Sequence, residues 1–516
     1  MNKKKVPKAA AVIDIGSSTL KLRIAQLKKG EIVDLDRLTY PLSLGHEVFT
    51  DGAISFQSIR EMNQALSGFK SLIEEYGITQ CRAVATTAIR EATNRAFVLD
   101  QIQVKNGLSV QVLEDAEEKT LIYSEILDSL QKAGDLEPGC TLLSYIGSGT
   151  IGIALHDGGN LVYSQNASVG ALKLHDMLGS IEEQTENFDM VLEEYLQAAL
   201  NCRPFEDARE ISNIVLTGNE VEMIAHLCQV EPDNGRFKIP VKRLVRLYQS
   251  ISKMTSGKIA LRYHLAEGEA ELLYSALAIY FRLIRLTNAK YILSPQVSLW
   301  DALMRQMLLP RQNALYFEHV RSNALSCAEN IAVHYLCDQA HAQVVRTIAG
   351  RIFDRTKPLH GMDRKQRLML DLAAVLHDCG HFVSVKEHLD ATFDLICHMG
   401  IYGMTDKDMR RIAFVARYNE YQVPDFRDSA FADMSERSRT EIAKLVAIFR
   451  LANALDKSQK QKIPDVKVKL TDEQLLITAQ TNENALLEQW AFAQCAVFFA
   501  DVFGVKPVLK VKQNLI

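Results

Sequence analysis

Two short turns in the first third of the chain place glycine next to hydroxyl side chains. Each turn lies between two apolar runs, which predicts a strand-turn-strand unit. Consecutive backbone N–H groups and hydroxyls in such turns bind phosphate oxygens. Two turns facing each other would form a cleft for a phosphorylated ligand, although either turn alone also fits an ordinary hairpin. The residues are Gly16, Ser17, Ser18 and Thr19 in the first turn and Gly147, Ser148, Gly149 and Thr150 in the second.

Charged residues suited to phosphate chemistry lie between these turns. Arg90 follows the predicted strand CRAVAT at the start of a helix, where a guanidinium either binds phosphate bidentately or is a solvated helix-face residue. The segment LEDAEEKTLIY starts another helix with an acidic first turn. Such acids commonly complement the helix dipole, but a carboxylate aimed into the cleft would act as general base for an attacking water. The acids are Glu114, Asp115, Glu117 and Glu118.

The elements around the two turns repeat. Residues 10–40 read as strand, GSST turn, strand, Lys-Lys-Gly turn and strand, and residues 141–166 repeat this plan around GSGT and an Asp-Gly-Gly turn. The same hairpin spacing and the same apolar flanks make duplication a better explanation than a chance match. The sequence therefore predicts two similar α/β half-domains with the turns at equivalent positions.

Length and composition exclude several classes of protein. The chain has 516 residues, enough for three to four domains, and its 47% hydrophobic and 24% charged residues are typical of a globular protein. A net charge of -4 argues against a general nucleic-acid-coating protein. The nine cysteines form no CxxC pair, and we expect free thiols in a cytoplasmic protein. No apolar run of the length of a membrane helix is evident, so we predict no membrane partner and no export.

One segment departs from the near balance of acidic and basic residues in the whole chain. Residues 234–264 contain eight basic residues and no Asp or Glu. Such a segment could bind phosphate oxygens through charge and counterion release, or it could be a solvated helix face. Its basic residues are Arg236, Lys238, Lys242, Arg243, Arg246, Lys253, Lys258 and Arg262.

The strings AVIDIGSSTLKLRIAQL, RAVATTAIREATNR, VLEDAEEKTLIY and YIGSGTIGIAL together resemble the exopolyphosphatase and guanosine pentaphosphate phosphatase family. The resemblance covers about residues 10–180, continues more weakly to about 305 and resumes in the C-terminal region. It implies an α/β fold of duplicated actin/sugar-kinase/Hsp70-like (ribonuclease H-like) domains. The implied reaction is hydrolysis of a terminal phosphoanhydride in polyphosphate or guanosine pentaphosphate, with Mg²⁺.

The resemblance also implies roles for individual residues. Arg90 would bind a phosphate, Glu117 would be the base that activates water, and the two turns would hold the phosphates. Asp14, at the end of the first strand, would position water or Mg²⁺. Tyr145 and Gly152 stand where the family has two acids thought to serve the metal. A catalytically weakened polyphosphate- or alarmone-binding sensor or scaffold is therefore the alternative to an enzyme.

The C-terminal half is predicted to be mainly helical. His341 and the string Leu376-His377-Asp378-Cys379-Gly380-His381 resemble the signature of an HD domain, in which His, His-Asp and a distant Asp bind metal. The distant Asp of that pattern is replaced by Asn453, which favours a vestigial site at His341, His377 and Asp378. The last stretch reads as strand, helix and strand.

These patterns predict four domains and a small set of partners. We expect half-domains at 1–130 and 131–305, an all-α HD-like domain at 306–465 and a small α/β tail at 466–516. The expected partners are the phosphate substrate and a second copy of the chain in a homodimer, without specific nucleic acid.

Overall fold

The computed structural model describes residues 9–134, 138–182, 184–185, 187–200, 210–420 and 422–513. The chain divides into two compact units, Met1–Val320 and Arg321–Ile516. The first unit contains the two glycine turns, and the second contains His341 and the string Leu376 to His381. The further division of each unit into two domains stays a prediction.

The first sheet of unit Met1–Val320 has five strands in the order β3-β2-β1-β4-β5. Its central strand β1 is almost continuously buried because it is apolar on both faces and pairs on both sides. β1 pairs antiparallel with β2 and parallel with β4, and β4 pairs parallel with β5. The strands are β1 Ala9–Ile15, β2 Thr19–Lys28, β3 Glu31–Pro41, β4 Cys81–Ala85 and β5 Val110–Val112.

The second sheet repeats this arrangement and adds one strand. Its order is β10-β11-β9-β6-β7-β8, in which β6 pairs antiparallel with β7 and parallel with β9, and β9 pairs parallel with β11. Read across the sheet, the order β8-β7-β6-β9-β11 therefore matches the order β3-β2-β1-β4-β5 of the first sheet, with the same strand directions. This match confirms the predicted duplication. The strands are β6 Cys140–Ile146, β7 Ile151–Asp157, β8 Asn160–Ala167, β9 Ile211–Gly218, β10 Arg236–Pro240 and β11 Tyr291–Pro295.

Helices cover these sheets, and two of them start where parallel strands end. A helix follows β4 after Thr86, and another follows β5 after Glu114. Both starts lie at the same sheet edge as the end of β1, because parallel strands end on the same side. The helices of this unit are α1 Leu44–Asp51, α2 Phe56–Glu75, α3 Thr87–Glu91, α4 Arg95–Asn106, α5 Asp115–Ala133, α6 Ala171–Glu182, α7 Phe188–Ala199, α8 Val221–Leu227, α9 Val241–Ile251, α10 Ser256–Tyr263, α11 Glu267–Ile284 and α12 Leu299–Leu308.

A long helix, α13, spans Asn313–His334 and includes the boundary between the units. Unit Arg321–Ile516 then continues with helices and ends with a three-stranded sheet in the order β12-β13-β14. Its elements are α14 Gln339–His360, α15 Arg364–Leu376, α16 His388–His398, α17 Asp406–Arg417, α18 Glu436–Ala454, β12 Val466–Leu470, β13 Gln474–Thr481, α19 Leu486–Phe503 and β14 Lys506–Gln513.

Two further expectations concern membranes and cysteines. Within the described residues, only α19 is long and apolar enough to cross a membrane by length and composition, a test that core helices of globular proteins also pass. Eight of the cysteines are free thiols, as expected, and the ninth, Cys202, lies outside the described residues.

Candidate functional site

A cleft of about 330 Å³ lies in unit Met1–Val320 at the carboxyl ends of strands from both sheets. This is where α/β sheets bind their ligands, since the loops after the strands diverge there. Both predicted turns contribute to its wall. The polar and charged lining residues include Asp14, Ser17, Ser18, Thr19, Lys21, Arg37, Thr86, Thr87, Glu118, Tyr145, Ser148, Thr217, Asn219, Glu222, Ser298 and Asp301.

The two turns have the same backbone structure. The Gly16 N–H donates to the Thr19 carbonyl at 3.0 Å, and the Gly147 N–H donates to the Thr150 carbonyl at 2.9 Å. A Cβ atom at either glycine would lie 3.1 Å from the carbonyl oxygen that its own N–H binds. Glycine therefore permits the same tight turn after β1 and after β6.

The predicted phosphate-binding residues divide into two groups. Gly16 to Thr19, together with Gly147 and Ser148, line the cleft. Gly149 instead packs against Thr87, and the buried Thr150 hydroxyl accepts from Lys119 Nζ and donates to Asp115 Oδ1, both at 2.7 Å. These contacts correct the expectation for Gly149 and Thr150, which lie behind the cleft wall because the turn directs them into the protein.

Arg90 lies in a network of acids and carbonyls. Its guanidinium donates to the Leu113 carbonyl at 2.8 Å and to the Thr87 hydroxyl at 3.0 Å. It also lies 3.3 Å from Asp115 Oδ1 and 3.3 Å from Glu118 Oε2. In this arrangement Arg90 holds Glu118 in place, and a phosphate binding to Arg90 would compete with these two carboxylates.

The carboxylate in the cleft is Glu118 and not the predicted Glu117. Glu117 Oε2 accepts from the Glu114 N–H at 3.1 Å, so Glu117 is part of the N-terminal cap of α5. Successive residues of a helix point about 100° apart, which turns the buried Glu118 into the cleft. The acidic string was recognised in the sequence, but the choice within it depended on the rotation of the helix.

Asp14 lies at the end of β1 and reaches the cleft. Its pKa is raised to about 6, mainly by burial; the charge of Lys21 opposes this shift, and the charge of Glu118 adds to it. Within the described part of the chain, its buried Oδ1 has no hydrogen-bond partner. Glu220 is similar, because its Oε2 also has no partner there and burial raises its pKa to about 7.

The unpartnered carboxylate oxygen of Asp14 fits a divalent cation that binds through oxygen. Mg²⁺ in phosphate-transfer sites commonly takes one or two carboxylates and completes its shell with water and substrate phosphates. Asp14 meets this requirement in a cleft that also receives the charge of Glu118. The predicted Mg²⁺ is therefore compatible with the residues present at the first turn.

The second turn differs at both positions where acids were expected. A Cβ atom at Gly152 would lie 2.5 Å from Tyr123 Oη and 3.0 Å from Lys119 Cδ. The Lys119 ammonium lies 4.7 Å from the centre of the Tyr145 ring and 3.4 Å from Asp115 Oδ1. A buried lysine thus occupies the space beside Gly152 and adds a positive charge behind the second turn.

Three residues that the sequence analysis did not assign to the site form another part of the cleft wall. The Lys21 ammonium lies 5.5 Å from the centre of the Trp300 ring, and the Arg37 guanidinium lies 5.8 Å from it. Lys21 shares a strand face with Thr19 because side chains alternate along β2. This alternation was visible in the sequence and could have predicted that Lys21 lies beside the first turn. Arg37 comes from β3, and its position depended on the pairing of the sheet.

In unit Arg321–Ile516, the predicted histidines come together. His341, His377 and Asp378 are, within the described residues, the only His, Cys, Asp or Glu group close enough to hold a metal ion. Asn453 lines a separate pocket with Arg450 and Lys457.

Comparison with solved structures supports the fold. An exopolyphosphatase from Cytophaga hutchinsonii has a similar structure, with a TM-score of 0.51 and 16% identity over 58% of this chain and 97% of that chain. The Aquifex aeolicus member of the Ppx/GppA family gives a TM-score of 0.48 and 21% identity over 59% and 98%. The first likeness supports the predicted duplicated actin-like fold.

Sequence comparison covers most of the chain. Residues 23–308 match the Ppx/GppA phosphatase family, and residues 323–494 match domain III of the Ppx/GppA phosphatases. The first match alone spans more than half of the 516 residues. The protein therefore belongs to the Ppx/GppA phosphatase family.

Proposed function

We propose that this protein hydrolyses the terminal phosphoanhydride bond of inorganic polyphosphate, with Glu118 as general base. The observation that carries the proposal is the position of Glu118, a buried carboxylate in the wall of a cleft to which both glycine turns contribute. A buried base next to a polyanion site is what hydrolysis by water requires. The names of the family and of the similar Cytophaga hutchinsonii protein support the substrate class.

Substrate binding would use the turns and the cations around them. The turn residues Ser17, Ser18 and Ser148 offer backbone N–H groups and hydroxyls at the cleft wall. Lys21 and Arg37 add positive charge to the same wall. These groups would orient the terminal phosphate, and orientation with charge neutralisation supplies most of the catalysis in phosphate transfer.

The chemical step would then be an attack by water on the terminal phosphorus. Glu118 takes a proton from the water while the water oxygen bonds to the terminal phosphorus. The bond between that phosphorus and the bridging oxygen breaks. The products are orthophosphate and a chain shortened by one phosphate. Arg90, 3.3 Å from Glu118, would act as a positioning residue that orients the carboxylate.

Asp14 would hold Mg²⁺ through the buried oxygen that has no protein partner in the described chain. When bound, the ion neutralises phosphate charge. Lys119 contributes a fixed positive charge behind the second turn, where Tyr145 and Gly152 provide no carboxylate. Asp14 and Lys119 thus give each turn a different way of balancing the charge of the substrate.

Tyr145 and Gly152 also favour a second candidate function. With Tyr145 and Gly152 in place of acids, the protein could bind polyphosphate or guanosine pentaphosphate as a sensor or scaffold without turnover. Both ligands end in the same phosphoanhydride, so the cleft chemistry serves either one.

The decisive experiment measures phosphate release from long-chain polyphosphate with Mg²⁺, and in parallel from guanosine pentaphosphate. We expect release from polyphosphate and a loss of at least about 100-fold in kcat for Glu118→Gln, the usual scale for removing a base. Glu117→Gln is the matched control and should stay within about 3-fold of the wild type, because Glu117 caps α5. Retained filter binding without any release would instead support the sensor.

A further inference from the structure

Helix α19 carries apolar residues on two opposite sides, whereas a helix at the surface of a globular protein normally has one apolar side. One side packs against α18 and β14 and contains the buried residues Ala491, Phe492 and Phe499. The other side faces away from this core. We infer that it binds the same side of α19 in a second copy of the chain, with the two helices antiparallel.

The outer side of α19 is a continuous apolar stripe. Leu486, Trp490 and Val497 are 66%, 49% and 66% exposed, and Ala493 is exposed as well. Together with the half-buried Ala500, they recur at alternating intervals of four and three residues. This spacing lines side chains up along one side of a helix and is the spacing by which paired helices pack. We call these five residues the α19 stripe.

The α19 stripe is complementary to itself when a second helix runs antiparallel to the first. The interval from Leu486 to Trp490 equals the interval from Ala493 to Val497. A two-fold axis between Trp490 and Ala493 therefore places Leu486 of each copy against Val497 of the other. The same axis places Trp490 of each copy against Ala493 of the other, whose small side chain leaves room for the indole ring. Such a two-fold contact uses one surface twice and closes at two chains.

Charge also favours an antiparallel second copy. In this arrangement the two helix dipoles oppose each other, and the exposed Asp501 comes near the positive N-terminal end of the other helix. Gln489 and Gln494, beside the stripe, are exposed and uncharged, so identical copies do not repel each other there. The other acid of α19, Glu488, is fully buried.

An anionic membrane surface is the competing occupant of an exposed apolar stripe. Helices that lie on such membranes carry Lys or Arg beside their apolar side, which attracts the lipid headgroups. The α19 sequence contains neither Lys nor Arg. The stripe therefore fits a second apolar helix better than it fits anionic lipid, and this inference does not depend on the function proposed for the cleft.

Sedimentation equilibrium of the full-length protein tests the inference. The wild type should have twice the 57.9 kDa mass of one chain. Trp490→Ala should weaken dimerisation at least about 10-fold, since a tryptophan at the centre of an interface commonly contributes most to binding. Because Trp490 is half exposed, circular dichroism and Tm should show that the variant folds as the wild type does.

A charge pair tests the antiparallel arrangement. Leu486→Glu and Val497→Lys should each weaken the dimer at least about 10-fold, because each places charges in an apolar contact. Combining them in one chain brings opposite charges together twice across the axis. The double variant should therefore dimerise at least about 3-fold more tightly than either single variant. In a parallel pair, like charges would meet and the double variant would be the weakest.

The control is Val104→Glu, which introduces a charge at an exposed apolar position of α4 and should leave dimerisation unchanged. A wild type that is monomeric at about 50 µM overturns the inference, and cosedimentation of that monomer with phosphatidylcholine vesicles would assign the stripe to a membrane. A dimer that Trp490→Ala does not weaken also overturns it, because another surface then holds the copies together. A double variant no tighter than the single variants overturns the antiparallel arrangement.

Discussion

The two turns share a backbone and differ in chemistry. Each follows the central strand of its sheet and closes with the same glycine N–H to threonine carbonyl bond. Yet β1 ends with the acid Asp14, and β6 has Tyr145 at the equivalent place. Duplication thus preserved the backbone of the turn, while the side chains around it differ. The first turn follows the acid Asp14, and the second has the buried Lys119 behind it.

The largest effect is expected from placing a carboxylate beside the buried lysine of the second turn with Gly152→Glu. The new side chain would collide with Tyr123 and Lys119, so unfolding free energy should fall by about 3 kcal/mol or more. Urea denaturation measures this. Lys119→Ala combined with Gly152→Glu should recover part of the loss because it vacates the space. If Gly152→Glu alone is as stable as the wild type, the two turns differ less than their structures indicate.

Removing the arginine that pairs with Glu118 should affect catalysis nearly as much. Arg90→Ala takes away the donor to Glu118 and Thr87, and kcat/KM for polyphosphate should fall at least about 100-fold. The exposed Arg95 is the control, since its guanidinium reaches only the Arg90 carbonyl in the described structure. A wild-type rate for Arg90→Ala would refute the role of Arg90 in orienting Glu118.

Asp14 should reduce stability at neutral pH, unlike Tyr145 at the equivalent position. Its folded-state pKa of about 6 lies above the ordinary 3.8, so the folded protein holds the proton more tightly. Stability contributed by that proton is present at low pH and is lost as pH rises toward 6. Asp14→Asn should therefore raise the unfolding free energy at pH 7 by about 3 kcal/mol. Equal gains at pH 4 and pH 7 would contradict this origin.

The smallest effect concerns the basic segment at residues 234–264, in the second predicted half-domain. Lys242 and Arg246 are exposed on α9, and Phe237 of the adjacent β10 lines the cleft. Charge reversal at both positions should raise KM for long chains about 3-fold at low salt and less at high salt. Lys105→Glu, at an exposed position on α4, should leave KM unchanged. An equal KM effect on short and long chains would show that the segment does not follow the polymer.

Much of this arrangement could be predicted because it is encoded locally. The repeat, the glycine turns, the strand end that carries Asp14 and the short helix that carries Arg90 are short strings whose residue types specify backbone conformation. His377 and Asp378 are adjacent in the chain and were found for the same reason. Such features need no knowledge of which residues meet across the fold.

Only the tertiary structure decided which side chains meet. The rotation of α5 chose Glu118 over Glu117, and the turn directed Thr150 toward Asp115 and away from the cleft. His341 meets Asp456 across 115 residues of chain, a contact that no local pattern signals. Side-chain partners depend on how helices rotate and pack against sheets, so the sequence by itself determined the elements and their chemistry, and packing determined the site.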